Sequence, residues 1–563
     1  MYDIMGNGSA TARRKEGMIP KSERHAGGIM KIRKDGYDMS GSREKQLRKL
    51  EREQNPEAYK KKNANQGLSK GKKIAITVIS CVICLLLIGG IATAVFLQSG
   101  GFTRMVTAVK VGDYSLSAAD YNYYYYGSFN RFASQYGQSL STFGLDTSKP
   151  LKDQTCALLE SGTWEDYFRQ AAEDSIRTIY ALADTATKEG YQLTEDDKSY
   201  IEMNLKSIED SATAQKVTAE QIVEDYYGPG VNMEVFRAQM DRETLAESYK
   251  QYLVENYNFS DDELDASYIS NKASIDQVTY RSLLITTESK YPESVTSSTA
   301  TDEQKKAAKE AAKAAADEML DKVAEDGSNF NELCIEYAPQ ASKSDYQNNA
   351  DYSLTRDQNK SKVTDSTLST WLFDNTRAAG NKTVLESTSG YRVIYLVNKG
   401  RNTTNVVNVR HILLVPSTTV DQSTGLTAEQ TVEVGEAASA LLNTWRSGEA
   451  TEASFAQLAK ENSTDSGSAY MGGLYKGVYP GQMVTSFNDW CFDSARKPGD
   501  TGIVYSSYGA HIMYFVSTGD PYWKVQARSY LANDKYASYI ESLLGSYTLT
   551  QDGFGFGYTA TTL

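Results

Sequence analysis

The stretch NVRHILLVP, Asn408 to Pro416, sets a histidine inside a run of β-branched and apolar residues, the composition of a buried strand. A second run of the same kind, YGAHIMYFV, Tyr508 to Val516, carries another. The chain has 3 histidines in all, His25, His411 and His511. A lone strand histidine is ordinarily a satisfied core residue. Comparing the chain with itself argues against that here.

Residues Phe373 to Gly400, FDNTRAAGNKTVLESTSGYRVIYLVNKG, align without a gap on Phe492 to Gly519, FDSARKPGDTGIVYSSYGAHIMYFVSTG. The turn glycines match, Gly380 with Gly499, Gly390 with Gly509 and Gly400 with Gly519, and so do Trp371 and Trp490. Upstream, NFNELCIEY from Asn329 matches SFAQLAKEN from Ser454, and VTYRSLLIT from Val278 matches VNVRHILLV from Val407. TDEQ at Thr301 matches TAEQ at Thr427, each a capping box with Thr at the cap and Gln three residues on. The shared order defines two homologous units of about 120 residues, 276–400 and 401–520. Each reads as strand, long helix, short helix, glycine-rich loop, helix, strand, turn and strand. That is an α+β unit with helices packed on a small antiparallel sheet.

The units differ in their polar positions. His411 stands where the first unit has Ser282, and His511 where it has Arg392. Asp465, in NSTDSGS, stands roughly at Gln340. A scaffold that accepts Ser and Arg at those places does not need histidine for packing.

At 563 residues the chain is too long for one compact domain, and 40 % hydrophobic residues suffice for real cores. The net charge of −13 is unevenly spread: residues 1–73 carry +10 and residues 98–563 carry −23. Between them, IAITVISCVICLLLIGGIATAVFL, Ile74 to Leu97, is uncharged and long enough to cross a bilayer as a helix. Lys70, Lys72 and Lys73 precede it, which places residues 1–73 in the cytoplasm and the main body outside. A cleavable signal peptide would have a shorter apolar region and a much shorter leader. The sequence around Cys81 loosely resembles a lipoprotein cleavage box, but more apolar sequence follows it, so Cys81 and Cys84 read as membrane-buried thiols. The basic head, REKQLRKLEREQNPEAYKKK, has the charge to meet nucleic acid or anionic lipid. Its low hydrophobicity and mixed charge predict a disordered cytoplasmic arm instead, with no nucleic-acid partner.

Beyond the span, Cys156, Cys334 and Cys491 are too few for a disulfide framework and read as buried side chains. Residues 105–275 read as mostly helical, after a strand-like piece at Val106 to Val111. A helix starts at Ser117. Its Tyr121, Tyr123 to Tyr126 and Phe129 offer either an adaptable surface for unfolded clients or the lobe's own core. Helices with acidic first turns follow, in QLTEDDKSYIEMNLKSIEDSA and SDDELDASYISNKA. Within 521–563, KYASYIESLL from Lys535 predicts a closing helix with Tyr539, Leu543 and Leu544 on one face, and GFGFGYTATTL a flexible tail.

The second unit, through RHILL, FAQLAKENSTDSGSAYMGG, GQMVTSF and YGAHIM, resembles the parvulin family of peptidyl-prolyl isomerases. The wider layout resembles the PrsA and SurA class of extracytoplasmic foldases, and the first unit a degenerate parvulin. The resemblance implies an α+β fold: a single transmembrane helix, a helical chaperone lobe made of 105–275 with the C-terminal helix, and two parvulin-like domains. It makes His411 and His511 the two central histidines and Asp465 the acidic partner, the catalytic set. Leu474, Met483 and Phe487 match the residues that hold the proline ring, and Gln482 and Ser506 match polar rim positions. Family members usually carry Asp-Leu-Gly after the double glycine, whereas GGLYKG follows here from Gly472. The resemblance implies no cofactor or metal. The expected partners are unfolded or newly exported proteins with X–Pro bonds, the membrane through one helix, and in some settings a second copy in a homodimer.

Isomerising X–Pro bonds in exported proteins is thus the leading expectation. A holdase or assembly scaffold, in which both units only bind peptide, is the second. A surface adhesion protein is a third, with no motif in its favour. No P-loop, HExxH or G-x-S-x-G points to other catalytic chemistry.

Overall fold

Ser117 decides how the helical lobe begins. The computed structural model describes residues 100–421 and 424–560, with residues 45–46, 49–50, 53–54 and 96 before them. Strands β1 (Thr107–Val111) and β2 (Tyr114–Ser117) pair antiparallel. Ser117 then caps α1 (Ala118–Tyr136) through a capping box with Asp120. Side chains of Thr163, Thr194, Thr218, Asn232 and Ser260 cap the helices that follow: α2 (Trp164–Lys188), α3 (Glu195–Gln215), α4 (Ala219–Tyr227), α5 (Met233–Asn256) and α6 (Asp261–Ser270). Tyr121 and Tyr123 to Tyr126 are all buried, so the tyrosine helix builds the lobe's own core and not a client surface. The reason lies on a helix distant in sequence. Tyr124 donates to Gln239 and Tyr123 to Glu243, both on α5, so these two phenols are satisfied inside the lobe.

The first unit comprises β3 (Gln277–Thr286), α7 (Asp302–Lys322), α8 (Phe330–Tyr337), β4 (Leu354–Gln358), α9 (Ser366–Phe373), β5 (Lys382–Ser387) and β6 (Gly390–Gly400). The second comprises β7 (Asn405–Leu414), α10 (Ala428–Ser447), α11 (Glu452–Asn462), β8 (Leu474–Val478), α12 (Thr485–Cys491), β9 (Thr501–Ser506) and β10 (Gly509–Pro521). The sheet orders are β4-β3-β6-β5 and β8-β7-β10-β9, the same arrangement twice. Both expected capping boxes form, Thr301 with Gln304 and Thr427 with Gln430. Register repeats as well: Ser282 lies opposite Ile394 as His411 lies opposite Met513. The irregularities repeat too, between Thr279 and Tyr280 in one sheet and at Asn408 and Val409 in the other. At Gly390 and Gly509 a Cβ would come within 2.2 Å and 2.1 Å of a carbonyl on the neighbouring strand, which explains the shared glycine at that turn. The glycine-rich loop hides an edge strand in each unit, β4 and β8, that the sequence pattern does not reveal.

In the second unit α10 and α11 cover one sheet face over Ile412, Ala510, Ile512 and Tyr514. The short α12 covers the other, placing Phe487 and Trp490 on Val407, Val409 and Met513.

The C-terminal helix α13 (Tyr522–Leu544) begins 13 residues before the expected start at Lys535. Its Tyr539 and Leu543 pack on the lobe. The tail is not free: β11 (Leu549–Gln551) pairs with the open edge of β1, and Phe556 sets its ring edge on Tyr121 at 5.1 Å. An unpaired edge and an exposed tyrosine face would otherwise meet water.

Cys156, Cys334 and Cys491 are buried and free. Burial pushes the thiols of Cys334 and Cys491 up to about 12, so neither is a nucleophile at neutral pH. Apart from Phe96, the expected membrane span with Cys81 and Cys84 lies outside the described residues, as do His25 and almost all of the basic arm. Among the described residues no helix is long and apolar enough to cross a membrane.

Candidate active site

The central strands β7 and β10 position the two histidines. Alternation puts Val407, Val409 and His411 on one face of β7, and His511, Met513 and Phe515 on the same face of β10. His411 pairs with Met513 and His511 with Leu413, so the imidazoles are diagonal neighbours. Their Nδ1 atoms lie 3.3 Å apart and the rings nearly parallel, with centroids 5.4 Å apart. Both are buried, at 3 % and 5 % exposure.

Asp465 reaches His411 from the loop 463–473, its Oδ2 lying 2.8 Å from Nε2. Tyr475 donates to the same oxygen at 3.0 Å, as does Ser468. At the far end Ser506 Oγ lies 2.7 Å from His511 Nε2 and accepts the backbone N–H of Tyr508. The loop is stitched onto β7: His411 N–H donates to Gly473 O at 2.9 Å and Thr464 N–H to Leu413 O at 2.9 Å. Arg410 donates from the opposite face to the carbonyls of Met471 and Gly472.

The partners fix the proton pattern. A carboxylate only accepts, so His411 carries its proton on Nε2 and donates to Asp465. His411 Nδ1 then accepts from His511 Nδ1–H, and His511 Nε2 accepts from Ser506. In this tautomer every link runs one way, toward Asp465. Burial raises the Asp465 carboxyl, but hydrogen bonds from His411, Ser468 and Tyr475 outweigh that and hold it well below the usual carboxylate range. Burial, followed by the facing His411, pushes His511 down to about 4 against a smaller opposing pull from Asp465. His511 is therefore neutral near pH 7.

Phe487 closes the apolar side. Its ring meets His411 edge-on at 5.4 Å and His511 at 5.6 Å. Met483 is half-buried in the same cluster. The fold thus brings together His411, Asp465, His511, Phe487, Met483 and Ser506. Gln482 is exposed and turned back on its own turn, accepting from Tyr479 N–H at 3.1 Å. Leu474 is not brought in. It pairs with Arg410, on the sheet face turned away from the histidines, while Tyr475 pairs with Val409 and faces Asp465. The correction follows from the unforeseen strand β8: once 474–478 is extended, alternate side chains leave the site. Sequence reasoning also missed Ser468, whose only signal is its place three residues after Asp465.

In the first unit the matching face carries Ser282 and Arg392 beside Ile394 and Leu396, over α9. Arg281 keeps the role of Arg410, donating to the carbonyl of Ala350, so that arginine belongs to the scaffold. Among the described residues no cluster of His, Cys, Asp and Glu is arranged to hold a metal ion.

Residues 391–517 match the family model of the PPIC-type PPIASE domain. A segment of 99 residues is 37 % identical to Foldase protein PrsA 1 of Listeria innocua, and a corresponding segment is 36 % identical to the protein of that name in Listeria monocytogenes. Each match covers 17 % of this chain and spans about a third (31 %) of the length of the relative. Among solved structures, PrsA from Bacillus anthracis matches 42 % of this chain and 86 % of its own at 16 % identity, with a TM-score of 0.17. PrsA from Bacillus cereus matches 56 % and 85 % at 19 % identity, with a TM-score of 0.16. At these TM-scores the fold rests on the chain's own strand order. Over residues 391–517 the chain matches the PPIC-type PPIase domain, and a 99-residue segment of it is similar to Foldase protein PrsA 1.

Proposed function

We propose that the second unit catalyses cis/trans isomerisation of X–Pro bonds in exported proteins. The observation that carries this reading is the buried His411–His511 pair beside Phe487, present in one unit and replaced by Ser282 and Arg392 in its twin. The reaction needs no nucleophile. An X–Pro bond turns over a barrier of about 18–20 kcal/mol because the amide must lose resonance. The twisted state has a more ketone-like carbonyl and a more basic nitrogen. A water-poor cleft of imidazoles and apolar rings, gripping the proline, favours that less polar amide. A thousandfold acceleration requires only about 4 kcal/mol. His411, Asp465 and His511 form the catalytic wall, Phe487 and Met483 hold the ring, and Ser506 is a polar rim group. Gln482 acts by shaping the turn before Met483. The network supports a fixed geometry, and no proton transfer is assigned to either histidine.

The helical lobe supports a holding role. A cavity of about 530 Å³ opens between α2, α3 and α5, among Tyr180, Asp184, Ile201, Arg237, Arg242 and Leu245. We place the main body outside the cell, held by the apolar span at 74–97, with unfolded, proline-bearing clients as its partners.

The test is a protease-coupled proline-peptide assay on the purified full chain, with His511→Ala as comparison. Turnover well above buffer, reduced tenfold or more by the substitution, supports the reading. A rate equal to buffer leaves a holdase or scaffold.

A further inference from the structure

The loop that delivers Asp465 and Ser468 is itself in no strand; hydrogen bonds at Ser463, Thr464, Met471, Gly472 and Gly473 tie its two ends to β7, and glycines occupy positions 467, 472 and 473. Gly472 and Gly473 both take left-handed backbone angles, φ 65° and 72°. Such a segment samples several arrangements unless its surroundings select one. Its outer side lies against α3 of the helical lobe. Lys460, near the end of the helix that feeds the loop, places its ammonium 2.8 Å from Asp196 and 3.2 Å from Ser199 Oγ. Tyr470, two residues beyond Ser468, sets its ring 5.1 Å from that of Tyr200, tilted by 57°. Asp196, Ser199 and Tyr200 occupy adjacent turns of α3, so one helix face meets the loop at both ends. The lysine is half-buried, which lessens solvent screening of the pair.

We infer that Tyr470 and Lys460 are positioning residues, through which α3 holds the 463–473 loop so that Asp465 stays on His411. The inference rests on the isomerase reading of the same site. The isomerase unit is then complete only while docked on the helical lobe. Asp465 fixes the imidazole tautomers, and a displacement of an ångström at such a group is enough to cost much of a rate enhancement. Neither residue is among those assigned to the histidine network or the proline pocket, so their influence falls on turnover rather than on substrate capture.

The experiment uses the full chain. Tyr470→Ala, Tyr200→Ala, Lys460→Asp and Asp196→Lys are made singly, and the last two also together. Lys206→Ala, on the same helix but paired only with Asp210 at the surface, is the control. Each variant is read in two ways: kcat and KM in the proline-peptide assay, and hydrogen–deuterium exchange of the peptide covering 463–473. The expected result is a five- to tenfold fall in kcat with KM within twofold, faster exchange in 463–473, and unchanged exchange in β7 and β10. The charge-swapped pair should recover at least half of the lost kcat, and the control should match wild type. Singles with wild-type kcat and exchange overturn the inference. So does a swap that restores nothing, because the loss then comes from altered folding and not from the contact. A wild-type chain without turnover defeats the isomerase reading, while the exchange arm still decides whether α3 holds the loop.

Discussion

His411 and His511 meet Nδ1 to Nδ1 at 3.3 Å, and that contact has one sense because Asp465 accepts from the other side of His411. Removing the acceptor removes the sense. In Asp465→Ala the His411 Nε2–H keeps only Ser468 Oγ, 3.2 Å away, as neighbour. A buried donor left without its charged partner costs about 1–3 kcal/mol. The variant should unfold at lower denaturant by that amount and lose tenfold or more in kcat/KM. Imidazole ¹⁵N shifts should show His411 exchanging between tautomers, where the parent shows one. A single unchanged tautomer would mean that the carboxylate does not set the network.

The depressed His511 pKa gives a sign to acid sensitivity. Its value falls from 6.5 to about 4 on folding, so between those pH values the unfolded chain binds a proton that the native chain refuses. The stabilisation is complete above pH 6.5 and is lost as pH falls toward 4. The slope is about 1.4 kcal/mol per pH unit, and the total is on the order of 3 kcal/mol. Asp465, held low, adds its own loss below the ordinary carboxylate range. Denaturant titrations at pH 7.5 and 4.5 should therefore differ less in His511→Gln than in the parent, by about 2–3 kcal/mol. Equal pH dependence in both would place His511 in water.

Tyr475 and Leu474 are adjacent and should behave oppositely. Tyr475→Phe removes one donor from Asp465, so the carboxyl should titrate higher and kcat/KM should fall about two- to fivefold, the scale of one hydrogen bond of about 0.5–1 kcal/mol. Leu474→Ala lies on the other face and should leave kcat/KM within twofold. Side-chain carbonyl NMR of Asp465 and the proline-peptide assay read the two effects. A larger effect at Leu474 would return it to the proline pocket.

How far the sequence reaches is visible in these same residues. The repeat, with its capping boxes and turn glycines, determines both units because local signals and long-range pairing agree there. His411, His511 and Asp465 stand out because the twin unit lacks them. What stays hidden depends on contacts distant in sequence. Strand β8 is five residues long and exists because β7 offers a free edge, which no local pattern records. The side-chain alternation that excludes Leu474 and admits Tyr475 follows from that strand alone. The tyrosines of α1 fit a surface or a core equally well by type, and only Gln239 and Glu243, more than a hundred residues on, decide for the core. The tail from Leu549 is polar and glycine-rich, yet β1 needs an edge partner and takes it.

Gly473 shows how closely the loop is fitted to the histidine strand. Its backbone has φ 72°, and a Cβ built there would stand 2.0 Å from the carbonyl oxygen of His411. Gly477, four residues on, has φ 67° but open space around it. Both alanine substitutions incur left-handed strain of about 1–2 kcal/mol. Only Gly473→Ala must also push aside the backbone that carries His411, which β10 holds from the other side, and break the His411 N–H to Gly473 O bond. Urea unfolding should therefore place Gly477→Ala about 1–2 kcal/mol below the parent, and Gly473→Ala at least about 3 kcal/mol below it or unfolded. The same ordering should appear in turnover, with Gly477→Ala near the parent rate at 25 °C and Gly473→Ala inactive. If the two variants lost equal stability, the loop would not rest on the His411 backbone, and the route by which Asp465 is delivered to the imidazole would have to be drawn differently.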